Sequence, residues 1–347
     1  MGKMPDKVMH VVPPGWHEGH ANGTGHTWRA RRGPFMRPAP RLPRFLLATI
    51  AIEHFDGRGA GTARVWLQSE LCRLVGMMDT FMKRGTPGTS SLVGEAAALR
   101  WLGQAEAAGG MPVAHVVSAD DFTLVEQRVS AGPASAQAAE RVGAALAVTH
   151  AAGAAWWGAP PDGWEGGYRI AASITPTVAQ ADAPRSWGAF FAEWRVMCYV
   201  RQALDAGAFG REEAALFERV AGRLADGDFD APQPGLIVRA DMPVARIHGD
   251  LWSGNLLWDA DPGNRMGAVL IDPMAHGGHA ETDLAMLALF GCQYLDRIIA
   301  AYNEASPLAD GWRDRVLLHQ LAPLLHHCAL FGRGYTQRAL AAARPYA

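Results

Sequence analysis

The segment His248-Gly-Asp250-Leu-Trp252-Ser-Gly-Asn255 constrains this chain more than any other stretch of its 347 residues. An aspartate is followed five positions later by an asparagine. Two short apolar runs come next, Leu256-Leu-Trp258 and Ala268 to Ile271, flanking Asp259-Ala-Asp-Pro-Gly-Asn. Apolar runs around such turn formers predict a β-hairpin with a longer turn. Its second strand delivers Asp272, 22 residues after Asp250. The hairpin returns the chain, so Asp250, Asn255 and Asp272 should face one mouth. That set suits phosphoryl transfer, in which a carboxylate accepts the proton of the attacking hydroxyl and oxygen ligands hold the Mg²⁺ ions that bridge the phosphates. Asp250 is the candidate base, and Asn255 and Asp272 are the candidate metal ligands. Hard Mg²⁺ accepts an amide carbonyl and a carboxylate, so no Cys or His is required. Singly, each residue would be an ordinary turn or cap residue; their joint spacing around a hairpin carries the reading. His248 reads as a residue that orients the loop by a hydrogen bond.

This is the catalytic layout of the kinase superfamily, and it demands a partner upstream: a strand lysine, paired with a helix glutamate, that holds the ATP phosphates. The basic residues supply one candidate. Of the 32 Lys and Arg, only Lys3, Lys7 and Lys83 are lysine. Lys83 ends the apolar run Thr80-Phe-Met-Lys83, which reads as a strand, and Glu95 follows 12 residues later. Ser90-Ser91 can cap a helix from there to about Ala107, with Leu92, Ala96, Leu99 and Leu102 on one face. Pro112 to Val117 and Thr123 to Val129 read as strands around the Asp120-Asp121 turn. The backbone around Glu126, Gln127 and Arg128 then falls where an interlobe hinge would hydrogen-bond adenine.

Composition excludes other classes. The formal charge of −2 gives no case for nucleic acid or an anionic membrane as the main partner. A hydrophobic fraction of 49% is ample for a core. No apolar run approaches the ~20 residues needed to cross a bilayer. The octet Phe45 to Ile52 lacks the cleavage site of a signal peptide. Cys72, Cys198, Cys292 and Cys328 are scattered, which implies neither a disulfide framework nor a zinc site and suits a reducing cytoplasm.

Along the chain, residues 1–44 read as a disordered tail, rich in Gly, His, Pro and Arg. Residues 45–128 read as a mixed α and β, nucleotide-binding part. Residues 129–347 read as mostly helical, carrying the catalytic loop. Expected helices are Ser135 to Ala152, Trp187 to Ala206, Arg211 to Ala225, a capped helix from Asp283 to Gly291, and a last helix from Val316 to Phe331 with Leu317 on its apolar side. Residues 157–186 read as loop.

His-Gly-Asp-Leu-Trp-Ser-Gly-Asn, with Asp272-Pro-Met-Ala-His-Gly-Gly-His-Ala-Glu281-Thr-Asp283-Leu-Ala-Met and Leu289-Phe-Gly291, resembles the fructosamine (ketosamine) kinase family, which belongs with the aminoglycoside phosphotransferase-like kinases. Ala301-Tyr-Asn-Glu-Ala-Ser-Pro-Leu and Leu-Phe-Gly-Arg-Gly-Tyr335 are similar too. The resemblance covers about residues 80 to 340. It implies a two-lobed α+β kinase-like fold, with a small β-rich lobe and a larger helical lobe. It implies ATP- and Mg²⁺-dependent phosphorylation of a sugar hydroxyl on free glycated amines or glycated protein lysines. By the same resemblance Asp250 is the base, Asn255 and Asp272 are metal ligands, and Lys83 and Glu95 are the phosphate-binding pair. Trp252 would stack on the sugar or hold the substrate ammonium by a cation–π contact. Glu281 reads as a solvent-facing or loop-bracing acid rather than one that recognises the substrate amine, and Asp283 as a helix cap that braces the catalytic loop. The family's Gly-rich turn before the lysine strand is not recognisable, Asp56-Gly-Arg-Gly-Ala-Gly61 being poorly framed. The competing readings are an aminoglycoside- or choline-type phosphotransferase, a kinase-fold pseudoenzyme, and a metal role for His276, His279, His326 and His327.

Overall fold

The computed structural model describes the backbone of residues 16–19 and 27–30, and residues 80–88 and 90–347 in full. The chain divides into two units, residues 1–67 and 68–347. In the first, β1 (Trp16–Gly19) pairs antiparallel with β2 (Thr27–Ala30). The remaining expectations for residues 1–79, among them the octet, the glycine-rich segment and Cys72, lie outside the described residues.

The second unit opens on a three-stranded antiparallel sheet in the order β3-β5-β4. β3 is Thr80–Arg84, β4 is Val116–Ala119 and β5 is Thr123–Gln127. β3 pairs with β5 so that Lys83 faces Leu124 and Phe81 faces Glu126. Helix α1 (Leu92–Gly103) seats Leu92 and Ala96 on Leu124, with Val116 and Ala119 beside them. Ser91 stands at the N-cap but makes no capping bond. Its Oγ instead accepts from Arg169 N (2.8 Å) and donates to Gly167 O (3.3 Å). The expected strand from Pro112 is shorter at its start, because Pro112 and Ala114 bond Leu270: Leu270 N donates to Pro112 O (2.9 Å) and Ala114 N to Leu270 O (3.0 Å). This strap ties the sheet to the strand that delivers Asp272.

The rest is mainly helical. Helix α2 (Ala136–Ala151) is capped by Ser135, whose Oγ accepts from Ala138 N. The stretch 157–186, expected as loop, contains a small hairpin, β6 (Tyr168–Ile170) with β7 (Ser173–Thr175). The expected helix from Trp187 is three pieces in line: α3 (Trp187–Phe191), a π-helical turn Ala192–Met197, and α4 (Cys198–Asp205). α5 (Arg211–Ala225) falls where its pattern placed it, and α6 (Gly235–Arg239) is short. β8 (Ala245–Ile247) pairs with β11 (His276–Gly278), and β9 (Leu256–Trp258) with β10 (Ala268–Leu270), the expected hairpin. α7 (Glu281–Leu289), α8 (Leu295–Ala305), α9 (Trp312–Phe331) and α10 (Thr336–Ala343) close the chain. α9 begins four residues before its expected start, and α10 follows it. Leu317 is exposed rather than packed. One apolar core gathers α1, α2, α8 and β8–β10. A second gathers α3, the π turn, α4, α5, α9 and α10. No described helix is long and apolar enough to cross a membrane.

Between α7 and α9 lies a buried polar joint. Arg315 Nε and Nη2 donate to the two carboxylate oxygens of Glu281 (2.9 and 2.6 Å). His319 Nε2 lies 3.3 Å from Glu281 Oε2, and His279 Nδ1 accepts from Glu281 N (3.2 Å). Glu281 thus braces the fold, and with Arg315 occupying the charge position the His279, Glu281 and His319 cluster is an ion-pair joint. Burial alone would raise the Glu281 pKa, but its bonds to His319 and Arg315 hold it down to about 2. Burial pushes His279 down to about 4 and His276 and His326 to about 3. All four groups therefore take up protons more readily in the unfolded chain. Stability is full above the unfolded histidine value near 6.5 and falls as pH drops through 6.5 and then 4.5. The Glu281 contribution alone is roughly 3 kcal/mol. Because Glu95 and Asp250 shift the opposite way, the test compares thermal melts of wild type and Glu281→Gln: their Tm gap should narrow as pH falls from about 6 to about 3, and a gap constant over that range would refute the assignment.

Candidate active site

Lys83 stands near the end of β3 with its ammonium in a ring of three acids. It forms ion pairs with Glu95 from the first turn of α1 and with Asp272 just after β10, and lies 3.3 Å from Glu126 Oε1. Burial would lower the Lys83 pKa, but Glu95, Asp272 and Glu126 together raise it, so the ammonium stays charged. Burial raises Glu95 to about 7 despite Lys83, and Asp272 adds to the rise. Three carboxylates share one cation, so this ring carries surplus negative charge.

Glu126 departs from its expected role. It lies inside β5, opposite Phe81 on one side and Val116 on the other, so its main chain is committed to the sheet. Its side chain is buried against Lys83, and Glu126 Oε2 has no hydrogen-bond partner. The signal was present: Leu124 and Glu126 alternate on one buried face of β5, and an acid on such a face needs a cation. Gln127 N is also committed, donating to His115 O (2.8 Å). Arg128 reaches back to Thr80 O (2.9 Å), with its guanidinium over the Phe81 ring.

The catalytic-loop residues come together as their spacing predicted. Gly249 turns the chain at φ 81°, and a side chain there would collide with Met274 O. Asn255 Nδ2 donates to Asp250 O (2.8 Å) and to Asp250 Oδ2 (3.1 Å). That fixes the amide and leaves its oxygen free. Burial raises the Asp250 pKa well above the usual carboxylate range, and Asp272 raises it further. Asp272 sits at φ 54°, a left-handed conformation for a non-glycine residue, which costs about 1 kcal/mol or more and is found at sites where geometry matters more than ease. Trp252 is 38% exposed and lies over Gly254, where any side chain would strike its ring. Its other edge meets Phe290 at 6.2 Å, nearly perpendicular.

Asp283 holds this loop in place. It is fully buried and accepts from His248 N (2.7 Å), Gly249 N (3.0 Å) and His150 Nε2 (3.1 Å). It lies inside α7 and does not cap it, since its carboxylate is spent on the loop. His248 does orient the loop: its Nδ1 accepts from Asp250 N (3.2 Å), so its Nε2–H donates to Ile271 O (2.9 Å), beside Asp272. His150 passes the network on to the Tyr302 hydroxyl (2.8 Å). Sequence spacing gave no hint of His150 or Tyr302, because their contacts cross 133 and 152 residues.

The residues fit a hard divalent cation. The free Asn255 oxygen and the Asp272 carboxylate form an oxygen-only donor set of the kind such a cation takes, whereas the space among Glu95, Glu126 and Asp272 is filled by the Lys83 ammonium.

Comparison with known proteins gives the family and the fold. The model of the family described as fructosamine kinase matches residues 76–344. A Synechocystis protein named a probable ketoamine kinase is 32% identical over 231 residues, covering 66% of this chain and 68% of its own. The Escherichia coli K12 protein YniA, with the same kind of name, is 32% identical over 225 residues, covering 64% and 69%. A solved structure from Thermobifida fusca, assigned as a fructosamine-3-kinase, superposes with a TM-score of 0.64 at 42% identity, covering 76% of this chain and 84% of that one. One from Haemophilus somnus superposes at 0.59 with 20% identity, covering 77% and 83%, a likeness of fold.

Substituting Asp283→Asn should destabilise the protein by about 3–5 kcal/mol, because an amide presents two donors to two backbone N–H groups and an imidazole N–H. Urea unfolding measures this, and a loss under ~1 kcal/mol would contradict the bracing role.

Proposed function

The chain belongs to the fructosamine kinase family, phosphotransferases of two-lobed kinase-like fold that act on a hydroxyl, and we propose that it transfers the γ-phosphoryl of ATP to a sugar hydroxyl of ketosamines. The carrying observation is the meeting of Lys83, Glu95 and Asp272 around one ammonium, beside the Asp250–Asn255 loop. Free glycated amines and glycated protein lysines are the proposed substrates, and the cytoplasm is the proposed location. The nucleotide-binding part is proposed to end near residue 128.

In this reading Asp250 accepts the proton of the attacking hydroxyl. Asn255 keeps the carboxylate oriented while its own oxygen, with Asp272, would hold Mg²⁺. When bound, Mg²⁺ would neutralise charge on the transferring phosphates. Lys83 is at present paired to Asp272. On nucleotide binding it would exchange that carboxylate for phosphate oxygens while keeping Glu95, which frees Asp272 for metal. Glu126 stays behind as a second acid, fixing the ammonium against the sheet. With Glu126 and Gln127 tied into the sheet, the main chain from Arg128 onward is left to bond the adenine edge. The exposed face of Trp252 would meet the sugar or its ammonium.

Asp250→Asn should lower ADP release with fructosyl-lysine or ribulosyl-lysine by at least ~10²-fold without changing Tm by more than a few degrees. Turnover at the wild-type rate would overturn the mechanism. Lys83→Arg should also lose most turnover, because a planar fork does not replace a compact ammonium between two acids and a phosphate. Removing Mg²⁺ with a chelator should stop ADP release, and restoring it should recover the rate. Kanamycin in the same panel distinguishes an aminoglycoside acceptor.

A further inference from the structure

Beside Asp250 the structure encloses a cavity of ≈ 40 Å³ whose lining includes Gly249, Asp250, Arg195, Tyr199, His276 and His326. One water needs about 10–15 Å³ of such space, so it holds roughly three waters, or a few hydroxyl-bearing carbons in their place. Its polar lining is unusual. Arg195 is 5% exposed and His326 6%. Arg195 Nη1 donates to Pro176 O (3.0 Å) and Trp194 O (2.8 Å), and the guanidinium lies over the Phe190 ring at 4.7 Å. Arg195 Nη2 and His326 Nε2 are buried with no hydrogen-bond partner. No carboxylate pairs with Arg195 among the described residues. Burial lowers its pKa, and Tyr199 heads the groups that oppose the shift. Such a buried, unpaired cation is costly to keep.

The backbone is also irregular here. Arg195 lies on the π-helical turn Ala192–Met197, which interrupts the helix running from Trp187 to Asp205. π turns inside α-helices are rare and gather at functional sites.

On the ketosamine reading above, the phosphorylated hydroxyl lies at Asp250, and the substrate extends from it two ways. One arm carries the cationic amine and the other the remaining sugar hydroxyls. A buried guanidinium repels an ammonium but donates well to a hydroxyl oxygen. We propose that the Arg195–His326 cavity is a subsite for the sugar hydroxyls beyond the phosphorylated carbon, and that the amine leaves past Trp252 on the exposed side. Arg195 Nη2 donates to one hydroxyl oxygen, and the neutral His326 ring bonds another. The amine substituent then stays outside the protein, so a free amino acid and a protein lysine are handled alike.

The test is ADP release by the full chain with ATP and Mg²⁺ on fructosyl-lysine and two analogues: one with the terminal hydroxyl removed, one with a shorter sugar chain. Wild type should prefer fructosyl-lysine by at least tenfold in kcat/KM. Arg195→Gln should raise KM for fructosyl-lysine ten- to a hundredfold with kcat within about threefold, and should level the three substrates; Arg195→Lys should restore part of the preference. A wild type indifferent to the missing hydroxyls overturns the subsite, and this arm decides if Arg195→Gln fails to fold. An unchanged preference in a folded Arg195→Gln overturns it as well. So does a loss confined to substrates bearing a carboxylate near the amine, tested with fructosyl-glycine against fructosyl-propylamine, because Arg195 would then be an anion site. Wild type without turnover on any ketosamine overturns the substrate reading of the preceding section instead.

Discussion

A single buried carboxylate, Asp283, sets the geometry on which the rest of the site depends. It takes two consecutive backbone N–H groups of the catalytic loop and the His150 imidazole. A carboxylate with three donors can be buried because each lone pair it turns inward is used. The loop therefore enters its turn at Gly249 from a fixed point, and Asp250 and Asn255 inherit their positions from it. His248 carries the same constraint to Ile271, the residue before Asp272. Asp250 and Asp272 are thus held to one frame by Asp283 and His248.

The Lys83 ring is organised differently. Its members come from β3, α1, β5 and the end of β10, and one ammonium supplies the cohesion. A ring with more acids than cations suits a site that accepts a further positive charge. The Arg195 cavity has a different imbalance: Asp250 is in its lining, yet the guanidinium has no carboxylate partner among the described residues. In the proposed reading the first suits a metal–nucleotide complex and the second neutral hydroxyls.

Much of this was legible in the sequence, and the divide has a physical cause. Asp250, Asn255, the hairpin and Asp272 are local in the chain, so spacing alone places them. Lys83 and Glu95 are separated by one strand–turn–helix step, which is short enough to read. The position of Glu126 suggests main-chain work, while the alternation along β5 points its carboxylate inward, to Lys83. Asp283 braces the catalytic loop as expected but does not cap its helix, although a first-turn acid usually serves the helix N-terminus: two loop N–H groups take its carboxylate instead. His150, Tyr302 and Arg195 carry no spacing signal, since each acts across distant parts of the chain. The hairpin β6–β7 hid among glycines and prolines, and the π turn leaves no periodic trace over six residues.

The scarcity of lysine has a consequence for the chemistry this protein meets. Sugars condense with unprotonated, accessible primary amines. Lys83 is three-quarters or more shielded, with 17% of its side chain exposed, and the acids around it keep it protonated. Beyond Lys3 and Lys7 no other side chain in the sequence offers such an amine. A ketosamine kinase, as proposed, would thus offer few side-chain amines of its own to reducing sugars.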